Sequence, residues 1–197
     1  MACRRPFVAV AGDFRTKAAP AIVPVAFSAA FAVGCGHGGP TMHEAWRSIV
    51  AAALDAREAH VPFHRVVADL APELRGRRPE GLPHSAWELV EHVRFAQSDL
   101  IAYLEDPAYA APAWPDDYWP PTPEPANEAA WDEAVAAVEA GRERLKSLLF
   151  ELPDPAATIP WGGSHTYLRT ILLALDHEAY HVGQVVQVRR LLGAWAG

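Results

Sequence analysis

The sequence predicts an all-α fold, a four-helix bundle with a long crossover connection between the second and third helices. Three observations carry this. From Thr41 onward the apolar residues recur at intervals of three and four, and no alternating run persuasive enough for a strand interrupts them. Capping residues sign the helix starts. A proline-rich stretch of about 20 residues, 106–125, then separates two strong helices, which is unusually long for a link between adjacent helices.

The first helix spans 41 to about 59. It opens on Thr41-Met42-His43-Glu44, the order of a capping box, and turns Trp46, Ile49, Val50, Ala53 and Leu54 inward. A short helical turn follows Pro62. Residues 71–83 carry Pro72, Gly76, Pro79, Gly81 and Pro83 and read as loop. The second helix, 85 to about 103, starts on a second capping box, Ser85-Ala86-Trp87-Glu88, with Trp87, Leu89, Val90, Val93, Ala96, Leu100, Ile101 and Leu104 at helical period. The connection that follows holds seven prolines together with Tyr109, Trp114, Tyr118 and Trp119. Its prolines make it stiff, and its aromatics either pack along the side of the bundle or cover one open end. The third helix, 127–150, is capped by Asn127 and carries Trp131, Ala134, Val135, Val138, Leu145 and Leu149 on one side, with acids and Arg142, Arg144 and Lys146 elsewhere. Pro153, Pro155, Pro160 and Gly162-Gly163 break the chain before a last helix over 164–192. There is no internal repeat.

Composition sets the outer bounds. At 197 residues, with 51% hydrophobic and 21% charged, the chain can bury one ordinary globular core. A net charge of −7 argues against a nucleic-acid partner, and the densest basic group, Arg75, Arg77 and Arg78, reads as a solvated turn. Cys3 and Cys35 both fall outside the helical domain, so neither a disulfide framework nor a cysteine-rich zinc site is expected. Residues 1–40 differ in kind. Arg4, Arg5, Arg15 and Lys17 precede an alanine-rich apolar run from Ala18 to Val33 ending at Gly34-Cys35-Gly36, which reads as a secretory or lipoprotein leader or as a disordered extension. Pro20 and Pro24 interrupt that run, which favours the extension and a cytoplasmic protein, with export as the alternative. Two units follow, 1–40 as this segment and 41–197 as the helical domain.

The chemistry is concentrated late in the chain. In Asp176-His177-Glu178-Ala179-Tyr180-His181, two imidazoles stand one helical turn apart, about 40° around the axis and roughly 6 Å along it, so both reach one ion. Thr170, Leu173, Ala174, Gln184, Val188 and Leu191 share their stripe, most of it apolar, and a buried imidazole needs a partner. A third ligand is sought among His37, His43, His60, His64, His84, His92 and His165. Of these His92 lies well inside a strong helix, on a face with Leu89, Ala96 and Tyr103. Two histidines from one helix and one from another make a facial set that leaves a metal open to water or substrate. His60 and His64 have the same spacing, but Pro62 between them leaves His60 outside the short helix. Gln184, one turn beyond His181, is either a hydrogen-bonding group for a metal-bound ligand or part of a core polar network. Glu88 is expected in its capping box rather than behind His92, and Asp176 and Glu178 on the solvated surface.

The motifs Ser85-Ala86-Trp87-Glu88-Leu89-Val90-Glu91-His92-Val93 and Asp176-His177-Glu178-Ala179-Tyr180-His181-Val182-Gly183-Gln184, in that order across a long connection, resemble the DinB-like family of metal-binding four-helix bundles over about residues 41–197. The resemblance implies that His92, His177 and His181 bind zinc, nickel or a similar divalent ion. It also implies an activity class, since some relatives are transferases or isomerases that use low-molecular-weight thiols; the DNA polymerase that shares the name is unrelated. A metal-dependent thiol transferase or hydrolase acting on a small molecule is therefore expected, with a homodimer as an open option. No membrane partner is expected unless residues 1–40 are a lipoprotein leader. The competing expectation is a non-catalytic, metal-stabilised bundle used in binding or dimerisation.

Overall fold

The computed structural model describes residues 42–55 and 59–196, all within the compact unit that spans Gly38–Gly197. The leader-like segment, both cysteines and the Thr41 cap lie outside the described residues. Among those residues the chain is helical: α1 (Met42–Leu54), α2 (Phe63–Val67), α3 (Pro72–Arg75), α4 (Ala86–Glu105), α5 (Glu128–Glu151) and α6 (Tyr167–Leu191), with one 3-10 turn at Asp116–Tyr118. A single antiparallel bridge, Thr158 with Thr166, is the nearest approach to sheet among them. None of the described helices is long and apolar enough to cross a membrane.

Each long helix begins where its sequence provides a cap. Ser85 accepts from the backbone N–H of Glu88 while the Glu88 carboxylate accepts from the N–H of Ser85, so two orphan donors are satisfied reciprocally. Asn127 accepts from Ala130 N–H, and Thr166 from Arg169 N–H. The last cap places the start of α6 two to three residues later than the expected 164. Pro62 sits at the N-cap of α2, which leaves His60 outside it as the sequence reading requires. The stretch 71–83 is not all loop, because Pro72 at the first turn opens α3, where its missing N–H costs nothing.

Cross-helix contacts give the directions. Trp87 packs near Trp131, and Arg144 pairs with Glu105, so α4 and α5 run in the same sense. The connection between them is fastened to α4 at several points. Tyr109 and Tyr118 donate to Asp99 in the second half of α4, while Ser85 at its start donates to the Pro123 carbonyl at 2.5 Å. At that lower end a Cβ on Gly76 would stand 2.9 Å from the Cα of Glu124, so only glycine admits the connection there. Helix α6 packs on α4 in the opposite sense, with Ala174 in the apolar cluster of Leu104 and Val182 and Val188 in that of Leu89. Helix α1 contacts both α5 and α6, and Arg47 caps the end of α5 by donating to the carbonyls of Leu149, Leu152 and Pro153.

The core forms two apolar clusters, one around Phe63, Leu89, Val138 and Val185, the other around Leu104, Leu145, Leu149 and Ile171. Most positions expected inside are inside. Ile49 is not; it is 68% exposed and borders an open groove with Leu172 and Leu175. Leu173 and Leu191, assigned to the inward stripe of the last helix, are exposed as well. That stripe instead runs through Thr170, Ile171, Ala174, Glu178, His181, Val182 and Val185, centred a little to one side of the histidine pair.

Candidate metal centre

Helices α4 and α6 bring His92, His177 and His181 together. One ring nitrogen of each lies within 4.8 Å of those of the other two, the only such group of histidine, cysteine and carboxylate side chains among the described residues. The ring centroids are 4.5 Å (His177–His181), 4.6 Å (His92–His181) and 4.9 Å (His92–His177) apart. His92 and His181 are 3% and 6% exposed, while His177 is half-buried and opens the group to solvent.

The outer nitrogens show which atoms remain available. His92 Nδ1 lies 2.9 Å from the backbone oxygen of Tyr118, and because a carbonyl only accepts, Nδ1 carries the proton. His181 Nδ1 likewise donates to Gln184 Oε1 at 2.7 Å. Both rings, when neutral, therefore hold their lone pair on Nε2. His92 Nε2 in turn lies 3.2 Å from His177 Nε2. Two bare nitrogen lone pairs at that separation repel unless a proton or a cation lies between them. In tetrahedral zinc with Zn–N of 2.0–2.1 Å, ligand nitrogens stand about 3.3 Å apart. The donor set, its spacing and its fixed tautomers thus fit a divalent metal.

Electrostatics point the same way. Burial, reinforced by the neighbouring imidazoles, pushes His177 and His181 down to about 4, the Gln184 bond opposing it only partly at His181. Burial also lowers His92 against the upward pull of the Tyr118 carbonyl. All three are neutral at pH 7, the protonation state that coordinates metal.

Around this group the structure sorts the remaining candidates. Gln184 orients His181. Glu88 stays in its capping box and pairs with Arg78, with no bond to His92. His60 bonds the Val61 carbonyl, His64 is exposed on α2, and His165 bonds the Tyr103 hydroxyl. His37 and the side chain of His43 lie outside the described residues. Glu178 corrects its surface assignment. It is 6% exposed and bonds Arg142 Nη2 at 2.9 Å, and Arg142, itself 4% exposed, also holds Glu139 at 2.7 Å. The signal was present in the sequence: 138, 142, 145 and 149 are one stripe, as are 174, 178, 181 and 185, so each of these stripes carries one charge, of opposite sign. The connection contributes two aromatic residues. Trp119 stacks with His92 at 4.0 Å and 4° and with His84 at 4.0 Å and 13°, and Trp114, exposed, tilts toward His92 at 6.4 Å. Nothing local in the sequence singled out Tyr118, because it acts through its backbone carbonyl.

The helical fold and this histidine arrangement agree with a match to the model of the DinB superfamily over residues 44–185. The chain belongs to the DinB superfamily. The matched span begins in α1 and ends in α6, so it takes in all three histidines. No curated protein and no solved structure is significantly similar to the chain. Within the superfamily it is thus the site itself, rather than any near relative, that guides a functional reading.

Proposed function

We propose that this DinB-superfamily protein is a metal-dependent enzyme in which Nε2 of His92, His177 and His181 holds one divalent ion, zinc or nickel. Its four long helices are then a four-helix bundle with residues 106–127 as the crossover. The convergence of one ring nitrogen from each of the three histidines, with the Nδ1–H of His92 and of His181 already committed to an acceptor, supports the reading most directly.

Such an ion, when bound, supplies a Lewis acid that lowers the pKa of coordinated water or thiol toward neutrality. The chain supplies the rest. His92 and His181 are locked by their outer hydrogen bonds, so ligand geometry is set before any substrate arrives. Next to them in the chain, Leu89, Val182 and Val185 are buried in one apolar cluster. Tyr180 and Trp114, both exposed, flank His181 and His92, at 5.0 Å and 6.4 Å between ring centroids, and offer flat apolar surface to the organic part of a small substrate. The reaction we favour is transfer to or from a low-molecular-weight thiol, or hydrolysis, since both require a coordinated nucleophile and neither requires redox chemistry.

Two experiments test this. Elemental analysis of untagged protein is expected to find close to one equivalent of zinc or nickel, lost in folded His177→Ala. A small thiol added to the cobalt-loaded protein is expected to shift its visible spectrum. The burial of His92 and His181 also suits a purely structural metal in a scaffold, and a metal that accepts no exogenous ligand supports that second reading against catalysis.

A further inference from the structure

We infer that the 106–125 connection is a positioning strap, in which Asp99 acting through Tyr118, together with Trp119, holds His92 as the Nδ1–H tautomer with Nε2 turned toward His177 and His181. The inference deepens the metal-centre proposal, but its first observable exists without any metal.

The geometry has three parts. Tyr109 and Tyr118 each donate a hydroxyl to Asp99 at 2.7 Å, one to each carboxylate oxygen, so a single side chain of α4 fastens the connection at two points. Seven residues below His92 on the same helix, Ser85 Oγ holds the Pro123 carbonyl. From the Asp99 anchor toward the Pro123 anchor run the Tyr118 carbonyl, which accepts from His92 Nδ1, and Trp119, whose indole lies within 4° of parallel to the His92 ring. The hydrogen bond fixes the proton, and the stacking fixes the ring plane. His92 and Tyr118 are 26 residues apart, so no local preference sets their distance; the anchors do.

A merely structural strap needs no carbonyl aimed at an imidazole. Moreover, neutral imidazole free in water favours the Nε2–H tautomer, the one that withdraws Nε2 from coordination. The strap imposes the opposite tautomer. Groups that orient a metal-binding histidine typically govern metal affinity by ten- to a hundred-fold.

The test uses the full chain with ¹⁵N-labelled histidine. Long-range ¹H–¹⁵N correlation of the chelator-treated protein at pH 7.5 is expected to show His92 protonated on Nδ1. In Asp99→Ala and Trp119→Ala it is expected to shift to a mixture or to Nε2–H, whereas Trp119→Phe, which keeps a flat ring, retains the wild-type pattern. Zinc affinity, measured by competition with a chromophoric chelator, is expected to fall roughly ten-fold or more in the two alanine variants and to stay within about three-fold of wild type in Trp119→Phe. Thr122→Ala, which touches only the Glu124 carbonyl in the strap, is expected to change neither readout. Should Asp99→Ala not fold by circular dichroism, Tyr118→Phe, which removes one anchor alone, decides by the same two measurements. Folded variants with the wild-type tautomer and zinc affinity overturn the inference, as does a wild-type His92 already protonated on Nε2. A wild type that takes up neither zinc nor nickel, yet whose tautomer follows the strap, overturns the metal proposal and leaves this one standing.

Discussion

Arg142→Met is the substitution whose cost the structure fixes most closely. The guanidinium is buried between α5 and α6, bonded to Glu178 at 2.9 Å and to Glu139 at 2.7 Å, and it lies 5.8 Å from the Phe63 ring centroid. Methionine fills much of its volume but none of its charge. Glu139 can turn to solvent, whereas the Glu178 side chain is only 8% accessible and is left as an unpaired buried carboxylate. Removing one member of a buried pair costs about 3–5 kcal/mol. At roughly 2–4 °C per kcal/mol for a chain of this size, the melting midpoint falls by about 6–20 °C at pH 7.5. The penalty depends on pH in a definite direction. Burial already raises the Glu178 carboxyl above its ordinary value despite the arginine, and without the arginine it rises further. A carboxyl with a raised folded-state pKa binds more protons folded than unfolded, so the variant regains stability as pH falls through that value. Arg142→Met/Glu178→Leu removes both charges and is expected to recover most of the loss. Thermal melts of wild type and the two variants between pH 5 and 8 measure all of this. A single variant that melts within 2 °C of wild type, or a double variant no better than the single, refutes the account of a buried pair clamping α5 to α6.

Two further outcomes follow from the same structure. His177 and His181 are held down at about 4 in the folded protein against an ordinary value of 6.5, so the unfolded chain binds more protons between those limits. Metal-free protein therefore keeps this contribution above about pH 6.5 and loses it as pH falls toward 4, a slope that chelator-treated melts of wild type should show and those of His177→Ala/His181→Ala should largely lack. Ser85→Ala removes a capping-box acceptor and the bond to Pro123, which is expected to cost about 1–2 kcal/mol and lower the melting midpoint by roughly 2–8 °C; an unchanged midpoint would show that the cap contributes nothing.

Local chemistry was legible and non-local chemistry was not. Ser85 and Glu88 announced a helix start because a capping box is complete within four residues. His177 and His181 announced a shared face because the helix period alone sets it, and His92 was the only remaining histidine well inside a strong amphipathic helix. Their approach to one another across α4 and α6 then followed from both faces being apolar. Tyr118 and Trp119 could not be assigned in this way. Their partners on α4 lie 19 and more residues away in sequence, and the contact depends on where a proline-rich segment is pinned rather than on any periodicity. Glu178 and Arg142 were misassigned for a different reason. Charge ordinarily marks the surface, but both residues sit on the apolar stripes of their helices and only a partner on the other helix makes their burial tolerable. Ile49, Leu173 and Leu191 are the reverse case, apolar residues at helical period that lie where the helix surface faces outward.

The central claim is that three imidazoles from two helices share one divalent ion. X-ray absorption at the zinc edge of the untagged, zinc-loaded protein tests it most directly. Three nitrogen ligands at about 2.0–2.1 Å with imidazole outer-shell scattering, reduced by one imidazole in folded His92→Ala, are expected. A zinc environment unchanged by loss of His92, or protein that retains no metal after dialysis, contradicts it.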